Sequence, residues 1–312
     1  MKFEDLIKER EAFADKSQSQ LEKFVKQLQS TLYSALLDKV VSALATDAEG
    51  KIKFDVGNIK TANGFSGIWS THQKQTNKFV QWIIKKLIDL FDLNTKYVSE
   101  ISKVSESFES KTRRLLLLNL GYDLEKNQIV PNSWLANLSS QDEVKTKIAN
   151  RIATAIQSGT SLKQFRNDFR DDFLNSKTGL GYLERYFNQR SFDLFQKFDR
   201  SASQVYAKEL KLNWRIYSGT IMEPVKGKTK GTRPFCRARV QNIYSTDEIE
   251  KWRNLEFSGR VDPYDPFIDC GSANCRHHWS PISDEIKEVL EKRGRKVNEY
   301  NKLPPGQTLT KY

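Results

Sequence analysis

Apolar residues recur at threes and fours over most of this chain, the spacing of amphipathic helices. Within residues 1–47, Leu21, Phe24, Val25, Leu28, Leu32, Leu36, Val40 and Leu44 share one stripe, predicting a long helix that packs by that face. Gly50 breaks the pattern, Ile52 to Val56 alternates as a short strand does, and Gly57-Asn58 and Asn63-Gly64 after it are turn pairs. A second long helix is predicted from Phe65 to Leu93 (Ile68, Trp69, Phe79, Ile83, Leu87, Leu90) and a third from Thr95 to Leu118, ended by Gly121. Pro131 forbids a continuous helix through the turn-rich stretch 122–140, which marks a soft boundary.

Beyond it, Val144, Ile148, Ile152 and Ile156 predict a helix over Ser140–Gln157, closed by Gly159. Thr160 or Ser161 caps a shorter one through Phe165 and Phe169 to Leu174. Gly179 and Gly181 form a hinge, and one uninterrupted helix is predicted from Tyr182 to Leu210. The texture then changes. Asn213 to Ser218 alternates like a strand, Pro234–Val240 reads as a short helix, and Ser245-Thr-Asp-Glu248 is a capping box opening a helix through Trp252. Residues 258–281 are rich in Gly, Pro and Asp, and a last helix covers Ser283–Arg293 before a loose tail. The fold class expected is mainly α: an elongated helical N-terminal region followed by a small α+β C-terminal module. The expected division is 1–140, a helical assembly region with a hairpin-like insert near 50–60; 141–282, with helices to 211 and an α+β part from 212; and 283–312, helix and tail.

The chain has 312 residues, and its 35 aromatic side chains exclude wholesale disorder. Apolar runs such as Val80 to Ile84 are cut by lysines far short of the roughly 18 residues a membrane span needs. Three cysteines cannot staple a secreted fold, and Glu4 and Asp5 stand where a signal peptide would be basic and then apolar, so synthesis in a reducing cytoplasm is expected. The net charge is +12 and uneven: residues 1–150 hold 22 basic and 19 acidic side chains, residues 151–312 hold 29 and 20. The densest stretch, Lys226, Lys228, Lys230, Arg233, Arg237 and Arg239, contains no acid and is either a solvated loop or a polyanion contact.

Phosphate-loop, dinucleotide, zinc-protease and serine-hydrolase motifs are absent from the sequence. Of three histidines, His72 lies on a helix among polar residues and reads as a surface or boundary residue. The one cluster is Cys270-x4-Cys275-x-His277-His278, with Cys236 upstream. Cys236, Cys270, Cys275 and His277, with His278 as the alternative, make a full tetrahedral set for one structural Zn²⁺. Buried free thiols and a Cys236–Cys275 disulfide are the competing readings. A nuclease would instead use His277 or His278 as base, with Asp265 or Asp269 holding a metal.

Four segments then occur in a telling order: Asn213-Trp214-Arg215-Ile216-Tyr217-Ser218-Gly219, Thr232-Arg233-Pro234-Phe235-Cys236, the helix start Thr246 to Ile249, and Asn274-Cys275-Arg276-His277-His278-Trp279-Ser280-Pro281. Together they resemble the C-terminal module of tailed-phage minor head proteins, the Mu F-like head-morphogenesis family, over roughly residues 145–282. Phe198-Asp199-Arg200-Ser201 departs from the family's Ala-Arg-Thr-Glu-like stretch, and Gly271-Ser272-Ala273 replaces its His-Pro, so that Cys270 has to stand in for one ligand. The resemblance implies a non-enzymatic capsid component assembled in the host cytoplasm. It implies a place inside the head, on the portal protein and other head proteins (capsid or scaffold), beside packaged double-stranded DNA, with ejection alongside the genome in some members. No membrane is needed for folding. Trp214, Arg233, Asn274, Arg276 and Trp279 are then structural motif residues, while Lys226, Lys228, Lys230, Arg237 and Arg239 are the candidates for DNA. A metal-dependent nuclease or toxin-like effector, and a plain nucleic-acid-binding module, are the alternatives.

Overall fold

The apolar stripes become long helices, and the changed texture after residue 212 becomes a small sheet. The computed structural model describes residues 2–174, 181–191, 193–223, 231–272 and 275–304. In chain order the helices are α1 (Lys2–Lys39), α2 (Val56–Asn63), α3 (Phe65–Ser99) and α4 (Glu106–Leu120). A hairpin of β1 (Tyr122–Asp123) and β2 (Gln128–Ile129) follows, then α5 (Trp134–Ser140), α6 (Asp142–Gln157), α7 (Leu162–Leu174), α8 (Tyr182–Ser191) and α9 (Leu194–Glu209). The last part runs β3 (Trp214–Ser218), α10 (Pro234–Arg239), β4 (Ile243–Ser245), α11 (Thr246–Lys251), α12 (Pro266–Asp269), β5 (His278–Ile282) and α13 (Asp284–Lys292). The expected class holds: the chain is mainly helical, with long N-terminal helices and a C-terminal region of small antiparallel strands and helices. Among the described residues, no helix is long and apolar enough to cross a membrane.

The chain forms two compact units that alternate along the sequence. A sheet unit comprises Met1–Gln18, Lys86–Asn119 and Asp193–Tyr312; a helical unit comprises Ser19–Lys85 and Leu120–Phe192. In the sheet unit, β3 lies between β4 and β5 and is antiparallel to both, with Ile216 opposite Ile243 on one side and Ser280 on the other. Helix α9 packs along β5, and α12 packs beside α9. The core here is aromatic: Trp252 and Trp279 are fully buried with their rings 5.4 Å apart, and Tyr217 and Tyr244 pack edge-on against Trp252.

The helical unit is held by stripes. Phe165, Phe169 and Phe173 run down one face of α7 and meet Tyr33 of α1. Val144, Ile148, Ile152 and Ile156 bury one face of α6. The side-chain oxygen of Gln29 accepts from the amides of Leu183 and Glu184, so a residue of α1 satisfies amides that the first turn of α8 would leave unpaired.

Three local expectations are corrected. The alternating stretch 52–56 is not a strand: Lys51 and Ile52 form isolated bridges only, and Asp55 caps α2 by accepting from the amide of Asn58 at 2.7 Å. Buried Asn58 in turn donates to the carbonyls of Ala45 and Lys53, which fixes the turn without a hairpin. Helix α3 runs on through Asn94 to Ser99, because Asn94 is a buried polar anchor and not a terminator. The single helix expected over Tyr182–Leu210 is two, divided at Asp193, which takes the left-handed conformation (φ 53°) at the start of α9. Of the glycine hinge, Gly179 lies outside the described residues.

Candidate metal centre

The site lies in the sheet unit, where three sequence segments meet. Pro234 at the first helical position starts α10, since its fixed φ suits the helix and its missing amide proton would have no partner there. That places Cys236 on the inner side of the helix, 3 % exposed. Arg233, just before α10, donates to the carbonyl of Gly271 and ties the helix start to the cysteine loop. Cys275 and His277 come from the segment entering β5, and Tyr217 from the neighbouring β3.

The two sulfurs of Cys236 and Cys275 are 3.9 Å apart, and Cys275 Sγ is 3.6 Å from His277 Nδ1. All three ligand atoms lie within 4.8 Å of one another and all three residues are buried. For tetrahedral zinc, bond lengths of about 2.3 Å to sulfur and about 2.05 Å to nitrogen imply edges of roughly 3.8 Å (S–S) and roughly 3.6 Å (S–N). The observed separations match both edges, so this group could hold a metal ion. Space is made by two glycines. A Cβ on Gly271 would stand 2.2 Å from Cys236 Sγ, and one on Gly219, whose φ is +137°, would stand 2.8 Å from the His277 ring.

Neighbouring donors favour one negative sulfur. Tyr217 Oη donates to Cys236 Sγ at 3.3 Å and lies 3.6 Å from Cys275 Sγ, and the Gly271 amide donates to Cys275 Sγ at 3.2 Å. Burial alone would raise the Cys275 pKa, but the hydrogen bond from Cys236, the His277 ring and the Arg200 charge bring it well below the usual thiol value. Its hydrogen bond to Cys275, and then burial, push Cys236 the other way, so the pair shares one proton. Burial, followed by the sulfur charges, raises the Tyr217 pKa, so its hydroxyl remains a donor. The His277 ring stacks on Tyr217 at 5.2 Å and 6°, while its Nε2 has no hydrogen-bond partner among the described residues.

The expected ligand set is corrected in two places. Cys270 is fully buried but stands outside the group: its backbone turns away at φ 53°, ψ −111°, and its carbonyl accepts from Tyr264. Burial raises its thiol pKa well above the usual value. His278, the alternative ligand, points elsewhere, because neighbours on an extended chain alternate sides. Its Nδ1 is 2.7 Å from Asp199 Oδ2. The three cysteines are free, so the disulfide reading is not what the structure contains.

Asp199 is the centre of a second buried group. Its Oδ1 accepts from Asn94 at 2.5 Å and pairs with Arg10 Nε at 3.1 Å. Arg10 also donates to Asn94, to the Trp279 carbonyl and to Ser280 Oγ. Arg10, Asp199 and His278 are all fully buried. Burial would raise the Asp199 pKa; Arg10 and then His278 outweigh it and hold the carboxyl below its usual value. The next residue, Arg200, donates to the carbonyls of Ile268, Cys275 and His277, and so holds the loop that carries the thiol and imidazole. The sequence reading missed Arg10, Asn94, Asp199, Arg200 and Tyr217 as site residues. The available signal was Asp199-Arg200 on the apolar side of a helix, between Phe198 and Ala202.

The other expected residues divide. Trp214 Nε1 donates to Asp284 at the start of α13, and Trp279 Nε1 donates to the Pro266 carbonyl from within the core. Arg276 pairs with Asp15 at 3.5 Å. Asn274, Lys226, Lys228 and Lys230 lie outside the described residues. Arg237 forms a bidentate pair with Glu223. The DNA role expected of Arg239 is corrected: it is 2 % exposed, boxed by the rings of Phe235, Trp252 and Tyr300 at 3.8, 4.5 and 4.7 Å, with no surface for a phosphate. The acids of the nuclease reading have other partners: Asp269 pairs with Lys197, and Asp265 caps α12.

Comparison of the chain with family models, with curated proteins and with solved structures finds no match.

Proposed function

We propose that this chain is a structural minor head protein of a tailed phage, that it associates with the portal and other head proteins inside the procapsid beside packaged DNA, and that one Zn²⁺ staples its C-terminal module. One observation carries this reading. The segments on which the resemblance rests lie far apart in sequence yet meet in one place: Trp214 to Ser218 pairs with both β4 and β5, Arg233 reaches Gly271, and Cys236 faces Cys275. Separate motifs that converge on one buried junction are what a scaffold needs.

Cys236, Cys275 and His277 would hold the ion, with the Tyr217 hydroxyl beside them. Bound there, zinc supplies a cross-link between α10 and the approach to β5. The chain's own residues orient that junction: Arg200 fixes the loop carbonyls, Arg233 fixes the α10 start, and the aromatic wall excludes water. At 2–4 % exposure the three ligands have no open side for a substrate, which favours a structural role over a catalytic one.

The test has two arms. Mass spectrometry of purified procapsids and virions is expected to find the chain in both, and pull-down of the portal ring to retain it; absence from both particles overturns the head-protein reading. Elemental analysis of protein prepared without added zinc is expected to give one zinc per chain, lost in Cys275→Ser; a metal-free wild type overturns the staple.

A further inference from the structure

In the helical unit, α1 and α3 leave a furrow with two recesses. The larger, about 280 Å³, is walled by Phe24, Phe79 and Trp82; the smaller, about 120 Å³, by Leu32, Ile68 and His72. Thr31 and Gln75 line both, so the recesses adjoin. Phe24 sits 40 % exposed over the larger one, with its ring 5.3 Å from Phe79 and 5.5 Å from Trp82. Each recess is below the roughly 300–1,000 Å³ of small-molecule sites and is of a size to take single side chains.

Spacing identifies the shape of the guest. The lining residues of the two recesses are offset by seven or eight positions on each helix. At 1.5 Å per residue that is about 10–12 Å, two turns of a third helix laid along the furrow. Anchors at i and i+7 on one face would fill both recesses. Charge identifies its sign. The only charged residues lining the recesses are Lys78 at the larger and Lys39 at the smaller, and no acid lines either among the described residues. From Phe65 to Lys85, α3 carries Lys74, Lys78 and Lys85 and no acid at all. One buried polar side chain at the smaller recess adds no charge. His72 is 3 % exposed; its Nε2 donates to Gln141 Oε1 at 3.0 Å, and burial lowers its pKa, so the ring is neutral and Nδ1 is an acceptor. Nδ1 has no hydrogen-bond partner among the described residues.

We propose that this furrow receives an acidic amphipathic helix of a partner protein, seating two large apolar side chains two turns apart and placing carboxylates by Lys39 and Lys78. The proposal does not depend on the metal centre or on the head-protein reading. Nucleic acid fits less well, since a phosphate backbone has no apolar knobs for the recesses and two lysines neutralise little charge. A second copy of this +12 chain would bring like charge to the same lysines.

Selection of random 16-residue peptides by ribosome display on the full chain tests it. The expected consensus is net negative, with large apolar residues at i and i+7. Selected peptides should bind at least tenfold more weakly to Thr31→Trp, which fills the junction of the recesses. They should also bind at least tenfold more weakly to Lys39→Glu/Lys78→Glu, which changes only exposed side chains and so keeps the test valid if the tryptophan perturbs folding. Failure to enrich any peptide overturns the proposal, as does a neutral or basic consensus, or unchanged affinity in the charge-reversed variant. Displacement of the peptides by a 20-base-pair duplex at equal concentration makes the furrow a nucleic-acid site. Sedimentation showing a dimer that Phe24→Asp dissociates assigns it to a second copy.

Discussion

The two units fill their interiors with different chemistry. The helical unit buries mostly rings and branched chains in stripes, and its buried polar residues are uncharged: Gln29, Asn58, Ser191 and the hydrogen-bonded group His72, Thr76 and Gln141. The sheet unit buries Arg10, Asp199, Arg200, Arg239, His277 and His278, each with a specific partner, and three thiols, of which Cys236 and Cys275 face each other. Apolar stripes are forgiving of small shifts, because dispersion and water exclusion are not directional. Buried charge is not forgiving, because every partner lost leaves a group without water or a counterpart. The sheet unit should therefore be rigidly specified and intolerant of single polar deletions, while the helical unit should respond to lost volume.

The largest expected effect is Asp199→Ala. It strands the Arg10 guanidinium and the Asn94 amide, and removes the partner of His278 Nδ1. Breaking a buried pair by removing one member costs up to about 5 kcal/mol. An unfolding free energy from urea titration lowered by that amount, with protection from hydrogen exchange lost first in the sheet unit, is the expected result. Replacing both members, as in Arg10→Met with Asp199→Leu, should recover much of the loss; if the double variant is as unstable as the single one, packing and not charge is what Asp199 contributes. In the helical unit the corresponding change is Phe169→Ala. That ring is fully buried, 4.8 Å from Phe173 and 5.4 Å from Phe165. The transfer and cavity costs together give about 3–4 kcal/mol. A cost below about 1 kcal/mol would break the comparison, since the stripe would then not be what holds this unit.

These contrasts also set what the sequence could reveal. The periodicity of α6 and α7 is visible because each stripe is local: Ile148 and Ile152, or Phe165 and Phe169, are one turn apart and need no knowledge of the partner. The capping box at Ser245 was legible for the same reason, and Ser245 Oγ does accept from the Glu248 amide. Asp55 was not, because a cap placed after an alternating stretch looks like the end of a strand. The left-handed Asp193 was hidden inside an unbroken helical pattern. In the site, Cys236, Cys275 and His277 were readable by ligand type, but Cys270 has the same type and the wrong backbone conformation. Arg10 could not be matched to Asp199 and Ser280 from spacing, since pairs so distant carry no local signal. Arg239 illustrates the opposite error: a charge in a basic run looks solvated, whereas three rings enclose it.

Metal removal should be felt in the sheet unit alone. If zinc occupies the Cys236, Cys275 and His277 group at a hundredfold over its dissociation constant, it stabilises the fold by about 2.7 kcal/mol. A chelator should lower the melting temperature and raise exchange around α10 and β5, leaving α6 and α7 unchanged. Cys275→Ser should melt where the chelated wild type melts and be insensitive to chelator, whereas Cys270→Ser should keep its zinc. Zinc loss in Cys270→Ser would restore that residue to the ligand set.

The smallest effect separates the units by pH. Burial, the main cause, holds the folded-state pKa of His72 below its ordinary 6.5, and the hydrogen bond to Gln141 opposes it only in part. The unfolded chain then takes up a proton that the folded one refuses. Stability is complete above about pH 6.5 and declines below it, by at most about 1.4 kcal/mol per pH unit for one proton. Asp199 has its folded-state pKa below the ordinary 3.8, so what it contributes is complete above that value and is lost only as pH falls further. Mild acid should therefore loosen the helical unit through His72 while the Asp199 network is still intact. Exchange rates in α3 and α5, compared between wild type and His72→Gln from pH 7 to 5, measure the difference. The variant should lack the wild-type slope, and an equal slope in both would remove His72 as its source. The proton refused belongs on Nδ1, which has no hydrogen-bond partner among the described residues, and the residue that carries it lines the smaller recess. A helix seated in that recess would shield the neutral ring further and lower the His72 pKa again, so its binding should tighten as pH rises through the folded-state value, which lies below 6.5, and the same titration repeated with a selected peptide connects the unit's acid sensitivity to its furrow.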